Sequence, residues 1–438
     1  MNLRIVFLIG VWLNLSSAAV GSAVDLPAPD WVLQDSLIRL LEGDSPMSLK
    51  NPESASLAFQ SGYNDFSRYR ETRSFESIER ACRHFEKAFL LDPYNSNYRR
   101  ALQSGYSILE NRARENREFR QAVLLAERRF RLDPESFGYA GHYLLGDSYL
   151  QLDFPAFAES HLKRAREWLT QDLAAAPQEN RKELHRAMAA IAVRLHAVYV
   201  AEGSPSQALD ALEIALAYAD PADHESLENR VGYLERWLFW GSKSALDLEI
   251  RVNRAIREGH YETARSGLDS LALLFPEPGE AWVEIIRRKA QFHFQYLQQP
   301  GKAMEMLMPR VLDDELSLPE SGRQAMRDDY VSMCLIEGSR RLERDDRLAY
   351  TFFCQGAAVE SPYRIRCLME LFRLSLSLPE EAAYWGERVW AERIQLTEEE
   401  ANRVTLQMAE VYRRLGDVER SMKFYRVYKK GSSNGPVE

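Results

Sequence analysis

The sequence predicts an all-α protein built as an array of helix pairs. Apolar residues recur at helical spacing in blocks of about 12–18 residues, short breaks of Pro, Gly or Asp separate the blocks, and alternating strand patterns are essentially missing. At 438 residues the chain exceeds the usual size of one domain, about 100–200 residues. Two or three compact domains or one elongated array must therefore share its core. A composition of 45% hydrophobic and 28% charged residues is that of a folded globular body.

The first residues read differently. One cation, Arg4, precedes an apolar run from Ile5 to Leu15 and then small residues from Ser16 to Ala23. That is the order of a secretory signal peptide, with cleavage near Ala23 after Gly21-Ser22-Ala23. The run is shorter than the ~20 residues that span a bilayer. No later stretch is apolar enough to span, and no Cys follows the run to carry a lipid. The expectation is an exported protein, periplasmic or extracellular, with no transmembrane span in the mature chain.

The chain is acidic, with 56 Lys and Arg against 65 Asp and Glu; net charge is −9, and −10 once Arg4 is lost. It lacks the basic footprint that nucleic acid or anionic lipid requires, so no nucleic-acid partner is expected. Between Asp65 and Glu135 the sign reverses, 15 cations to 12 acids. There Arg112, Arg114, Arg117 and Arg120 alternate with Glu110, Glu115 and Glu118, as on a solvated helix face.

Within the array one spacing recurs. Residues 139–172 place His142, Leu145, Gly146 and Tyr149 on a first helix and Ala158, Leu162 and Ala165 on a second. Small Gly146 and Ala158 let the two helices approach, while Leu145, Tyr149 and Leu162 fill the seam. Residues 189–222 repeat it with Ala192, Leu195, His196 and Tyr199, then Ala208, Leu212 and Ala215 after Ser204-Pro205. Near the C-terminus Met408, Ala409, Tyr412, Ser421 and Tyr425 surround the turn Leu415-Gly416-Asp417. Weaker copies keep the second helix: Ala81, Phe85 and Ala88; Ala122 and Ala126; Ala264, Leu268 and Leu271; Ala303 with Leu307; Ala349 with Phe353. Asp92-Pro93 and Asp133-Pro134 close two of these, because a residue before proline is pushed out of the helical region.

The pattern resembles the tetratricopeptide repeat (TPR). The resemblance implies a right-handed superhelical solenoid of about nine TPR-like helix pairs over residues 54–430. A linker or cap at 24–53 would precede it and a disordered tail at 431–438 would follow. A mean above 40 residues per pair, against 34 in the family, calls for longer or extra helices, notably around Leu227 to Gly241.

The resemblance also implies a non-catalytic scaffold that binds a protein or peptide in a concave groove lined by first helices. Carried over by register, the groove residues are Tyr143, Asp147 and Leu150; Val193, Ala197 and Val200; Glu249, Asn253 and Arg257; and Leu406, Glu410, Arg413 and Arg414. The central groove is then apolar and the C-terminal groove charged. Trp31 to Leu41 either caps the first repeat or covers the groove. Together with export, this implies a scaffold for envelope or secreted assemblies, associated with the envelope through its partner.

Spacing for chemistry is sparse. None of the eight histidines pairs with another His or a Cys at i+3 or i+4, so no metal site is expected. Gly301-Lys302 lacks the upstream Gly and the hydroxyl of a phosphate loop, and no cofactor is expected. The competing reading is an all-α enzyme acting on glycan or peptidoglycan, or its accessory subunit. It needs a carboxylate placed to protonate a glycosidic oxygen, but the repeats run to residue 428 and leave no separate catalytic domain. Among Cys334, Cys354 and Cys367, on neighbouring helices, one disulfide and buried free thiols are both open. Tyr233, Trp237, Phe239 and Trp240 form an aromatic stripe expected to fill core.

Overall fold

Helix boundaries follow local chemistry. Proline stands in the first turn of six of the long helices, where no intrahelical donor is needed. Side chains of Asn51, Asp133 and Asp345 accept from backbone N–H groups at three starts. Thr397 and Glu400 close a reciprocal capping box.

The computed structural model describes residues 28–42, 51–312 and 317–432. The expected signal peptide and the last six residues of the expected tail lie outside them. Every regular element among the described residues is helical. Two short helices, α1 (Asp30–Leu33) and α2 (Ser36–Glu42), come first. Four pairs follow: α3 (Pro52–Thr72) with α4 (Phe75–Leu91), α5 (Ser96–Glu115) with α6 (Phe119–Leu132), α7 (Pro134–Gln151) with α8 (Pro155–Ala175), and α9 (Arg181–Ala201) with α10 (Pro205–Tyr218). An extra helix, α11 (His224–Trp240), falls where the repeat length demanded one. Five more pairs complete the nine: α12 (Lys243–Arg257) with α13 (Tyr261–Leu274), α14 (Glu280–Gln295) with α15 (Pro300–Leu312), α16 (Glu320–Arg341) with α17 (Asp346–Ala357), α18 (Arg364–Ser375) with α19 (Pro379–Ala391), and α20 (Glu398–Arg414) with α21 (Val418–Ser432). Contacts divide the chain into two compact units, Met1–Leu238 and Phe239–Glu438.

The turn inside a pair has a fixed geometry. In seven of the nine pairs one turn residue has positive φ: Arg73, Arg117, Asp153, Gly203, Gly259, Gln298 and Gly416. Inside each pair, close approach is bought by small residues. A Cβ on Gly146 would sit 2.8 Å from Leu162 and 3.1 Å from the Ala158 carbonyl, and one on Gly338 would sit 2.6 Å from the Phe353 ring. Facing them, Phe85, Leu162, Leu212, Leu268, Leu307 and Phe353 occupy one register of the second helix, and all are buried. Tyr425, in that register on α21, is instead 42% exposed.

Consecutive pairs are latched by tyrosine. Tyr106, Tyr149 and Tyr412 lie on first helices, and each hydroxyl donates to a glutamate on the preceding second helix: Glu86 at 2.5 Å, Glu127 at 2.6 Å and Glu387 at 2.5 Å.

The N-terminal segment lies against a second helix. Helix α2 packs on α6 with Leu37 and Ile38 buried. Asp35 accepts from Arg128 at 2.8 and 3.2 Å. The expected groove residues of this unit sit on α7 and α9, and α7 itself packs on α6.

Candidate functional site

Within each unit, charged side chains tie neighbouring first helices together. Arg194 of α9 meets Asp147 of α7 at 2.9 Å, Arg288 of α14 meets Glu249 of α12 at 2.7 Å, and Arg287 of α14 meets Asp329 of α16 at 2.6 Å. Arg366 of α18 pairs with Glu400 of α20. All four pairs span two first helices, the elements expected to line a groove.

On α7 and α9, Tyr143, Asp147, Leu150, Val193, Ala197 and Val200 are half-buried. Arg194, which the sequence reading passed over, stands among them. On α12, Asn253 and Arg257 are exposed, and the Arg257 Nε donates to the Asn253 carbonyl at 3.4 Å.

Glu249 departs from expectation. It is buried, accepting from the Trp240 indole N–H and pairing with Arg288, so it anchors the wall and is not offered to a partner. Register within α12 does not reveal this, because Trp240 comes from the extra helix.

On α20, Leu406, Glu410, Arg413 and Arg414 are exposed. Arg413 grips Glu410 at 2.6 and 2.7 Å. Arg414 donates to the carbonyls of Leu376 and Ser377 at 2.7 and 3.4 Å, closing the C-terminal end of α18.

Between α12 and α14 lies a cavity of about 280 Å³. Its apolar lining is Val252, Ile256, Leu268 and Phe292; Glu284, Arg287, Arg288 and Gln291 supply polar groups, and Asn253, Gln295 and Tyr296 are its exposed members. Both guanidiniums are engaged. Arg287 holds Asp329, with Glu284 at 3.7 Å, and Arg288 holds Glu249, with Glu284 at 2.8 Å. Burial works against the charge on Arg287, but Asp329 and then Glu284 outweigh it and raise its pKa above the ordinary value. The sequence reading missed Arg287, Arg288 and Gln291 because residues 280–312 were recognised only through their second helix. The available signal was polar residues at 284, 287, 288, 291 and 295, a one-sided stripe on an otherwise apolar helix.

A second polar cluster lies in the N-terminal unit. Glu127 accepts from Tyr149 at 2.6 Å, pairs with Arg131 and lies 3.7 Å from His161, whose Nδ1 is 3.1 Å from that of His142. Burial pushes the Glu127 carboxyl up, but His161, Arg131 and Tyr149 together hold it at about 2. Burial, then the neighbouring His161, takes His142 down to about 3. Glu127, Tyr149, His142 and His161 are all buried, so the cluster is closed to a substrate.

The structure takes the free-thiol alternative. All four cysteines are free. Cys334 and Cys367 flank Gly356, where an added Cβ would lie 3.1 Å from the Cys334 Cβ and 2.6 Å from the Cys367 Sγ. Burial raises every thiol, Cys82 and Cys367 to about 12. Trp237 and Trp240 are buried, as a core-filling stripe requires. Among the described residues no helix is long and apolar enough to cross a membrane, and no three His, Cys, Asp or Glu side chains gather as metal ligands would.

No family model matches the sequence, and no curated protein matches it. Solved structures of similar chains include the TPR domain of P58(IPK), at 14% identity over 75% of this chain and 92% of that one, with a TM-score of 0.23. The apo quorum sensor NprR from B. thuringiensis shows 16% identity over 85% and 87%, TM-score 0.26. A human IFIT1 dimer with PPP-AAAA shows 15% over 82% and 70%, TM-score 0.21. The chain itself is an array of paired helices in which, in several pairs, a small residue of the first helix faces a large one of the second, and ion pairs run between first helices.

Proposed function

We propose that this chain is an exported, non-catalytic scaffold that holds a partner protein along its first-helix face in an envelope or secreted assembly. One observation carries the reading: within each unit ion pairs join neighbouring first helices, α7 to α9 in one and α12 to α14 to α16 and α18 to α20 in the other, and these helices still present half-buried and exposed side chains, among them Val193 and Val200 in the first unit and Asn253 and Leu406 in the second. Helices fixed in this way present a preorganised surface, so little ordering is lost on binding. Export rests on the order of residues 1–23.

The test places a photo-cross-linking amino acid at Val200 or Asn253 and, as a control, at Leu273, which is 82% exposed on a second helix. One reproducible protein captured from Val200 and Asn253 but not from Leu273 supports the reading. Equal capture from all three positions sinks it. For export, the N-terminal sequence of the secreted or periplasmic protein should begin at Val24.

A further inference from the structure

The cavity between α12 and α14 has a chemistry that selects its occupant. At about 280 Å³ it falls just under the roughly 300–1,000 Å³ of small-molecule clefts, which suits one large side chain better than a whole cofactor. Val252, Leu268 and Phe292 are buried and offer carbon, so that side chain is apolar.

The charged groups around it are already matched. Arg287 and Arg288 are held by Asp329, Glu249 and Glu284, so a ligand carboxylate would have to displace an existing ion pair.

Two carboxamides have unambiguous orientations. Asn253 Oδ1 accepts from Arg288 Nη1 at 3.4 Å, and since arginine only donates, the Asn253 NH2 is the end left for a ligand. Gln291 Nε2 donates to both Asp329 carboxylate oxygens at 3.3 Å, and since a carboxylate only accepts, the Gln291 carbonyl oxygen is the end left. A donor on α12 and an acceptor on α14 match the C=O and N–H that every peptide unit carries.

We infer that this cavity is an anchor pocket for an internal stretch of extended polypeptide: one Leu, Ile, Phe or Met side chain enters it, and Asn253 and Gln291 hold the flanking backbone. Main-chain bonds then give affinity and the pocket gives specificity. The inference rests on the proposed binding role of the first-helix face and narrows it to a partner chemistry.

A library of short random peptides, displayed internally so that no free carboxyl terminus is offered, is panned against the full chain. The enriched peptide is then made in amidated and free-acid forms and titrated by fluorescence anisotropy. The expected consensus has one central apolar residue, and both forms bind equally. Ile256→Trp, which fills the cavity, weakens binding about tenfold or more. Asn253→Leu, on an exposed position that leaves folding intact, weakens it several-fold. The inference is overturned if panning enriches nothing, if an acidic anchor or a free carboxyl terminus is required, or if both variants bind like the parent chain. In that last case Ala197→Arg tells the two ideas apart: loss of binding moves the peptide to α7 and α9, which ends the pocket but keeps the face.

Discussion

The two units solve the same problem with different side chains. In the N-terminal unit charge is drawn into the core, where Glu127 sits buried among Tyr149, His161 and Arg131, and the face on α7 and α9 carries a single ion pair, Asp147 with Arg194. In the C-terminal unit the charges of α14 stay on the face, where Arg287 and Arg288 pair with Asp329, Glu249 and Glu284 around an open cavity, and buried thiols pack near Gly356. One repeat register thus yields a buried, side-chain-held glutamate in each unit, Glu127 on Tyr149 and Glu249 on Trp240, and in the C-terminal unit a cavity opens beside it. Where charges are placed, more than how helices pair, decides where a ligand can enter.

The largest effect that would test this contrast is on the buried carboxylate. Glu127→Ala removes the buried carboxylate that Tyr149, Arg131 and His161 share, and should cost about 3–5 kcal/mol, read by denaturant unfolding with hydrogen exchange on α6 to α8. A loss below ~1 kcal/mol would mean that the cluster is not under stress and that the contrast between cores is superficial.

Packing should not distinguish the units. Gly146→Val and Gly338→Val each force a side chain into a neighbour and should each cost about 1–3 kcal/mol. A large inequality between them would show that one seam is looser.

Acid should act on the N-terminal unit. The unfolded chain protonates His142 below its ordinary 6.5, whereas the fold keeps it neutral down to about 3, so stability falls as pH drops through that interval. Glu127, held at about 2 against an ordinary 4.5, contributes fully above 4.5 and loses its contribution as pH falls toward 2. A His142→Asn variant should lose the part of the pH dependence between 6.5 and 4.5; an unchanged profile would remove His142 from the account.

Smaller still, Asp329→Asn keeps a partner for Gln291 but weakens a half-exposed ion pair, for about 1 kcal/mol or less. Finally, native protein at pH 8 should leave Cys82, Cys334 and Cys367 unalkylated, and all four thiols should react once the chain is unfolded without reductant. A missing thiol in the unfolded sample would restore the bridge.

The pairing of helices was legible because it depends on period and on small-to-large spacing, which survive even where only Ala303 and Leu307 announce a repeat. The excess length per pair also placed the extra helix near Leu227. The tyrosine latches were not legible: Tyr149 was assigned to the seam, but its partner Glu127 lies on the preceding helix, and only stacking brings the two together. The cavity was hidden for the same reason. Its polar residues belong to a first helix with no small-residue signature, and the burial of Glu249 depends on Trp240, outside the repeat. Asn253 was reached by register alone, while Gln291 was not.

The left-handed turn residues carry a consequence for engineering. Gly203, Gly259 and Gly416 adopt positive φ freely, but Arg73, Arg117, Asp153 and Gln298 do so against their own Cβ atoms, at roughly 1 kcal/mol each. Glycine at those four joints would release that tension without touching either face, so the array holds an untapped thermostability reserve in its hinges.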